Sequence, residues 1–522
     1  MNTELGTHVV TRRRLVVSFA SVGAAVLVAA CTSSPASSPT AAPSTGAQPA
    51  TAAGPTSAPA AAPTAPAAAA PTTAPATIAQ AASAATPAPT AAAQLAGGKN
   101  VEIPIWAQVS PGEKARAAYF TKLHPNIKTT VSEQGTSGQG VEAVQKFLTA
   151  IAAGTAGSVV MFDRFQIAGY AYRHAFTALD DLIKRDNYDL KRFADACITE
   201  CYGIDKKIYG LPRHVVDRYY MLNADHFKEV GLDPEAPLTD WNYFKEAGAK
   251  LTKKDSSGRI TRVGIEPTID MAYTWGWSNG GDWVTDGGRK ATMNDPRNVE
   301  AFTFAATVAD AMGGQEAISS FASSFQSAAG DPFLAGQSSM KFNGNTFLRT
   351  LAQYKPSLNF RGTYYATKDS TIPKQTWAAG HSWVIPRGAK ETDIAWEIVK
   401  SYMEWDSFVV YEDALKTISD QQHTAYIPEL SGQPSIDQKL AEKYKSNVEW
   451  IDKAFAFGMD ILVKSPVVHV RPISPAAAEM WDAVGVALDE TTRKKKTASQ
   501  ALKDANDKIQ KVLDDAWATV SG

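Results

Sequence analysis

From residue 32 to residue 98 the chain carries no Lys, Arg, Asp or Glu, and it is built almost wholly from Ala, Pro, Thr and Ser. Such a stretch cannot bury enough apolar surface to offset the entropy of ordering it, so it predicts a tether rather than a domain. As a flexible coil it would reach roughly 45 Å root-mean-square, and as a stiff polyproline-like chain up to about 200 Å. Its Ser/Thr-Pro content suits O-glycosylation. Folding is thereby confined to residues 99–522, where charges and aromatic rings return at Lys99. That length exceeds what one hydrophobic core usually supports, so two lobes are expected.

The tether begins at an address. Residues 11–31 read TRRRLVVSFASVGAAVLVAAC, a basic cluster, an apolar run and small residues before a cysteine, which is the layout of a signal peptide. The apolar run covers residues 15–30, short of the roughly 20 residues a spanning helix needs, so cleavage is expected rather than permanent insertion. Arg12 and Arg13 after Thr11 resemble a twin-arginine export signal, an ordinary basic region feeding the general export route being the alternative. The VAAC at 28–31 resembles a lipobox, with Val28 where leucine is commonest. Cys31 would then be lipidated, unless it stands near a simple cleavage site by chance. The expected division is a leader over 1–30, a lipidated Cys31 with its linker over 31–98, and a folded domain over 99–522. The domain would be held at the outer face of the cytoplasmic membrane.

The charge balance, 52 Lys+Arg against 53 Asp+Glu, gives no electrostatic basis for binding along a nucleic acid. The cationic run at 493–496, beside Asp489 and Glu490, reads as a solvated face. Three cysteines cannot make a disulfide-dense scaffold. Cys197 and Cys201 would be either free buried thiols or a disulfide, which their helical spacing makes awkward. No metal and no cofactor are expected.

Within the domain, VEIPIW at 101–106 reads as a strand whose Pro104 suggests a sheet edge or a strand end. A helix over 112–123 follows and stops before Pro125. Val141, Val144, Leu148 and Ile151 recur at helical spacing, and SVVMF at 158–162 is a buried strand running into Asp163-Arg164. This β-α-β-α order argues for parallel sheets covered by helices, with ligands beyond the carboxyl ends of strands. Asp295-Pro296 opens a helix buried along Val299, Phe302 and Ala306. Thr497 and Gln500 form a capping-box pattern ahead of Leu502, Ala505, Ile509, Val512 and Trp517. No internal repeat is visible.

Several local patterns then follow in order. They are PNIK at 125–128, MFDRFQIAGYA at 161–171, IYGLPRHVVDRYYMLN at 208–223, FKEVGLDP at 227–234 and TDWNYF at 239–244. Later come DPFLAG at 331–336, MKFNG at 340–344, GHSWVIPRGAK at 380–390 and AWEIVK at 395–400. Behind a lipoprotein leader and a tether, this series resembles the extracellular solute-binding proteins (family 1) of ABC importers, in the carbohydrate-binding group related to maltose-binding protein. The resemblance implies an α/β, two-lobed periplasmic-binding-protein fold of type II, each lobe a mostly parallel sheet flanked by helices and joined by a hinge. It further implies a monomer that closes over a sugar or oligosaccharide and delivers it, unaltered, to the transmembrane permease subunits.

A neutral sugar offers C–H faces for aromatic stacking and a rim of hydroxyls for polar groups. Asp163 and Arg164 are the expected hydroxyl-binding pair, with an interlobe or helix-capping ion pair as the alternative. Trp275, Trp277 and Trp481 are the expected stacking rings, each of which also fits a core. Asn279, Asn343, Asn345 and His381 complete the group, while Asp217 and Arg218 read as hinge residues or ligand contacts. Thr346 stands where maltose-binding protein has a stacking tryptophan, a departure that puts maltose itself in doubt. Three rivals remain. A secreted glycoside hydrolase needs two carboxylates about 5 to 9.5 Å apart, and no such pair stands out. A receptor for a glycerol phosphate derivative shares the fold. A ferric-ion receptor would use Tyr219-Tyr220, which as strand neighbours point to opposite faces.

Overall fold

Among the described residues, two large β-sheets organise the folded part, beside a two-stranded one of Val284–Thr285 and Lys290–Ala291. The computed structural model describes Leu95 and residues 97–133, 141–266, 271–324, 330–446 and 448–521; the leader, Cys31 and residues 32–94 lie outside them. The first sheet runs in the order Ile127–Ser132, Val101–Trp106, Val159–Asp163, His381–Val384, Gly210–Pro212. Its first three strands are parallel and are joined by helices Pro111–Leu123 and Val141–Ala152, the alternation read from the sequence. Ile103, Ile105, Phe162, Trp383 and Trp396 fill its core.

Val101–Trp106 is not an edge strand, because it lies between Ile127–Ser132 and Val159–Asp163. The reason Pro104 is tolerated is local. Its carbonyl accepts the Ser158 N–H at 2.8 Å, so the position of its missing N–H faces the side where the third strand has not yet begun; pairing there starts only at Ile105–Val159. An absent donor costs nothing where no ladder acceptor waits for it.

The second sheet has the order Val467–His469, Gln375–Ala379, Val216–Asn223, Ser338–Asn343, Ile260–Glu266, Lys253–Lys254, with Phe360–Thr363 also paired to Val216–Asn223. The VDRYYMLN strand is buried on both faces. Val216, Tyr220 and Leu222 join a core beneath helices Trp241–Leu251, Pro296–Met312, Ala477–Thr492 and Ala498–Ser521. Tyr219 and Met221 join another beneath Asn345–Tyr354 and Glu449–Lys464. This alternation separates the two tyrosines of the ferric-ion reading onto opposite faces, so they do not form one site.

The sheets are linked directly. Residues 213–215 carry the chain from Gly210–Pro212 to Val216–Asn223, and Gly380 alone carries it back from Gln375–Ala379 to His381–Val384. Because the two crossings run in opposite directions side by side, the strands they join pair antiparallel in both sheets, and each sheet is mixed. Gly380 has φ +140°, and a Cβ there would sit 2.3 Å from the His214 carbonyl oxygen. Only glycine fits that approach. The chain reaches the second sheet again between helix Trp405–Gln421, which packs on Pro111–Leu123, and helix Glu449–Lys464, which packs on Val216–Asn223.

Candidate functional site: the interlobe cleft

Where the Val159–Asp163 strand ends, the chain turns into a short 3-10 helix, and the Asp163 side chain caps it by accepting the Phe165 N–H at 3.0 Å. The next residue, Arg164, is fully buried and faces the hinge. Its guanidinium donates to the carbonyls of His214 at 2.5 Å, Ala379 at 2.6 Å and His381 at 3.3 Å, so one side chain fastens both crossings. Its Nε reaches Glu200 at 3.3 Å.

Glu200 in turn accepts the backbone N–H of Arg471 at 3.0 Å and its Nε at 3.3 Å. Burial by itself would raise the Asp163 carboxyl, but Arg471 and, to a smaller degree, His381 and the local hydrogen bonds hold it below the usual carboxylate range. Four charges, alternating in sign and almost without solvent, thus cross-brace the lobes. A buried network of this kind chiefly fixes geometry, since desolvation cancels much of its attraction.

Beside this brace opens a cleft of about 690 Å³, a size suited to a small-molecule ligand. One wall is the first lobe's Thr199, Tyr202 and Lys206, and the other carries Trp277, Asp282 and Thr285 of the second lobe. The floor is the segment from Val468 to Ile473, with His469 and Arg471. The His469 ring lies flat on Trp277, centroids 4.5 Å apart and planes within 5°, while Trp377 meets Trp277 edge-on. Buried Gln375 binds both partners of the stack, through His469 Nε2 and the Trp277 carbonyl. Burial lowers the His469 pKa to about 4, so the ring is neutral at physiological pH. Apolar ring faces below and hydroxyl, amine and carboxylate groups on the walls suit an uncharged polyhydroxylated ligand.

Of the residues expected from sequence, Trp277 lines this cleft. Asp163 and Arg164 do not line it: they form the interlobe ion pairs that were their alternative reading, because the strand end that carries them abuts the hinge. Trp275 packs against Trp241, Phe244 and Phe304 and borders a separate apolar cavity of about 300 Å³. Trp481 stacks on Tyr273 at 5.8 Å and meets Phe165 at 6.0 Å, an aromatic cluster joining the lobes.

Asn279 ties down the next helix through the Arg297 carbonyl and Glu300. Asn343 accepts the Gly344 N–H, and Asn345 donates to Asp217 and to the Val215 carbonyl. His381 meets His214 at 3.2 Å, and burial first, then neighbouring guanidinium groups, push its pKa to about 4 against the pull of Asp163. Asn343, Asn345 and His381 thus sit at the hinge or beside it, whereas Asn279 serves the packing of helix Pro296–Met312.

Sequence reasoning missed His469, Arg471 and the stretch around Thr199 and Tyr202. The rule that ligands lie beyond strand ends would have found the first two, since VVH at 467–469 is a strand, but so short an apolar run gives little signal. The cationic run is an ion-paired surface, Arg493 with Asp489 and Glu316, Lys496 with Glu490 and Asp504. Among the described residues, no helix is long and apolar enough to cross a membrane.

Comparison with known proteins agrees with this architecture. CpMnBP1, solved with mannotriose bound, superposes with a TM-score of 0.65 at 25% identity, over 78% of this chain and 100% of its own. An ABC substrate-binding protein from Listeria monocytogenes in complex with cycloalternan gives 0.62 at 17% identity, over 80% and 99%. UgpB from Mycobacterium tuberculosis in complex with glycerophosphocholine gives 0.60 at 17% identity, over 79% and 98%. The family model for bacterial extracellular solute-binding proteins matches residues 115–419, more than half of the chain, and to that family the chain belongs.

Proposed function

We propose that this protein is the substrate receptor of an ABC importer and that it captures a neutral oligosaccharide between its lobes without transforming it. The observation that carries the reading is the cleft itself, walled by both lobes, with His469 of its floor stacked on Trp277 of one wall, beside two directly paired crossings. A ligand touching both walls favours closure by the difference between its contacts in the open and closed states, and a paired hinge lets the lobes close as bodies. Among structurally similar proteins, CpMnBP1 was solved with mannotriose, which makes manno-oligosaccharides the first ligands to try. The glycerophosphocholine complex of UgpB keeps a glycerol phosphate derivative as the second. Lipid on Cys31 would hold the receptor at the outer face of the cytoplasmic membrane, and the tether would let it reach the permease.

Asp282 is the one carboxylate lining the cleft among the described residues, which disfavours a two-carboxylate hydrolase. Isothermal titration of the purified mature chain against manno- and malto-oligosaccharides, mannose and glycerophosphocholine is the direct test. Micromolar or tighter binding of an oligosaccharide, with no products after prolonged incubation, is the expected result. Released products, or binding of glycerophosphocholine alone, would overturn it.

A further inference from the structure

Gln375 is 2% exposed and lies on the strand next to the one that carries His469, with Trp377 opposite His469 in the parallel register. Its amide nitrogen donates to the Trp277 carbonyl at 3.1 Å. A carbonyl can only accept, so this bond fixes which end of the amide is the NH2, and it places Oε1 against His469 Nε2. Oε1 has lone pairs and no proton, so Nε2 must carry the hydrogen. In the neutral ring that leaves Nδ1 as an acceptor. The same two bonds determine the ring's plane, because its partner carbonyl belongs to the tryptophan on which it lies flat.

We propose that Gln375 is a positioning residue that locks His469 as the Nε2–H tautomer on Trp277, so that Nδ1 accepts a hydrogen bond from a ligand hydroxyl in the cleft. This rests on the carbohydrate reading above. It assigns the floor of the cleft two properties at once, an aromatic surface for a sugar face and an acceptor for a hydroxyl at its rim. An ammonium or amide donor would satisfy Nδ1 too, but only a ring with hydroxyls at its edge uses the flat surface and the acceptor together.

The experiment is long-range proton–nitrogen correlation on the ligand-free mature protein, labelled in histidine, followed by mannotriose titration of wild type, Gln375→Leu and Gln375→Glu. The ring of His469, identified by its loss in His469→Gln, should show a protonated Nε2 and an unprotonated Nδ1 at pH 7. Gln375→Glu should convert it to the doubly protonated ring at the same pH, a signature that mere loss of packing would not produce. Gln375→Leu should weaken mannotriose about tenfold, the worth of one well-placed hydrogen bond. A protonated Nδ1 in the wild type overturns the assignment, as does equal mannotriose affinity in wild type and Gln375→Leu. If the tautomer is as stated but no carbohydrate binds the wild type, the oligosaccharide reading fails and the hydroxyl partner with it, while the tautomer still decides the role of Gln375.

Discussion

Arg471 grips Asp163 through both carboxylate oxygens, at 2.6 and 3.1 Å, from the segment that follows the edge strand of the opposite sheet. Removing the guanidinium strands two buried carboxylates, Asp163 and Glu200, without their shared partner. Arg471→Met should therefore destabilise the fold by about 3–5 kcal/mol, the cost of breaking a buried pair from one side, read as a lowered urea midpoint. The pH dependence has a definite sign. Asp163 is held below its ordinary value in the folded state, so its contribution is complete above the unfolded carboxylate pKa of about 3.9 and is lost as pH falls through the lower folded value. Asp163→Asn should remove that part of the acid sensitivity, and an unchanged stability profile between pH 2 and 5 would count against the brace.

Trp275 and Trp277 are two residues apart on one short helix, yet they face different surroundings. Trp277 lines the cleft and Trp275 packs against three rings of the second lobe. Trp277→Ala should lower carbohydrate affinity at least about tenfold, as loss of a stacking ring does. Trp275→Ala should cost about 3–5 kcal/mol of stability as a core truncation, with affinity of the folded variant changed by less than about twofold. Calorimetric titration and thermal melts on both variants separate the two roles, and the opposite pattern would relocate the site.

Much of the framework was legible because it follows from local chemistry. The proline after Asp295 and the apolar periodicity of 141–152 define helices wherever they occur. Thr497 caps its helix by accepting the Gln500 N–H at 3.2 Å, although the Gln500 side chain turns forward to Asp504 instead of completing the box. Asp163 and Arg164 show the limit. Their position after a buried strand marks them as special, but a charged pair at a strand end can face a ligand or a hinge. What decides between them is Arg471, 308 residues away, whose arrival no local pattern announces. The tryptophans are hard to sort for a related reason, since an indole on a buried helix looks the same in sequence whether it borders a cleft, as Trp277 does, or packs on other rings, as Trp275 does.

Asp217 lies on the strand of the first crossing with its side chain wholly buried. The backbone N–H of Asn345 donates to Oδ1 at 2.7 Å, whereas Oδ2, over Gly458, has no hydrogen-bond partner among the described residues. Burial pushes its pKa up to about 6, against the pull of the Asn345 N–H and Arg218. A raised folded value means that stability falls as pH climbs from the unfolded pKa of about 3.9 to about 6, with a penalty near 3 kcal/mol above that range at most. Asp217→Asn should therefore stabilise the protein by about 1–3 kcal/mol at pH 7.5 and by almost nothing at pH 4, where the native carboxyl is already neutral. Chemical denaturation at the two pH values checks this, and equal effects at both would show that the charge is not the source.

Cys197 and Cys201 resolve the choice between free thiols and a disulfide in favour of free thiols, both buried. Their spacing places them one turn apart at the end of helix Asp195–Thr199, where the Cys201 thiol sits 3.5 Å from the Cys197 carbonyl oxygen and 3.1 Å from the Ser382 hydroxyl. Burial pushes the thiols up to about 11 and about 12, so at pH 8 fewer than about one in a hundred is the reactive thiolate. A thiol reagent such as Ellman's should leave Cys197 and Cys201 of the folded protein unlabelled for hours, even without reductant. Once guanidinium exposes the chain, Cys197 and Cys201 should both react at once. Rapid labelling of the native protein would mean that the packing around these two cysteines, between the two cores, opens readily. Absence of free thiols in the unreduced, unfolded chain would mean that the two cysteines pair after export.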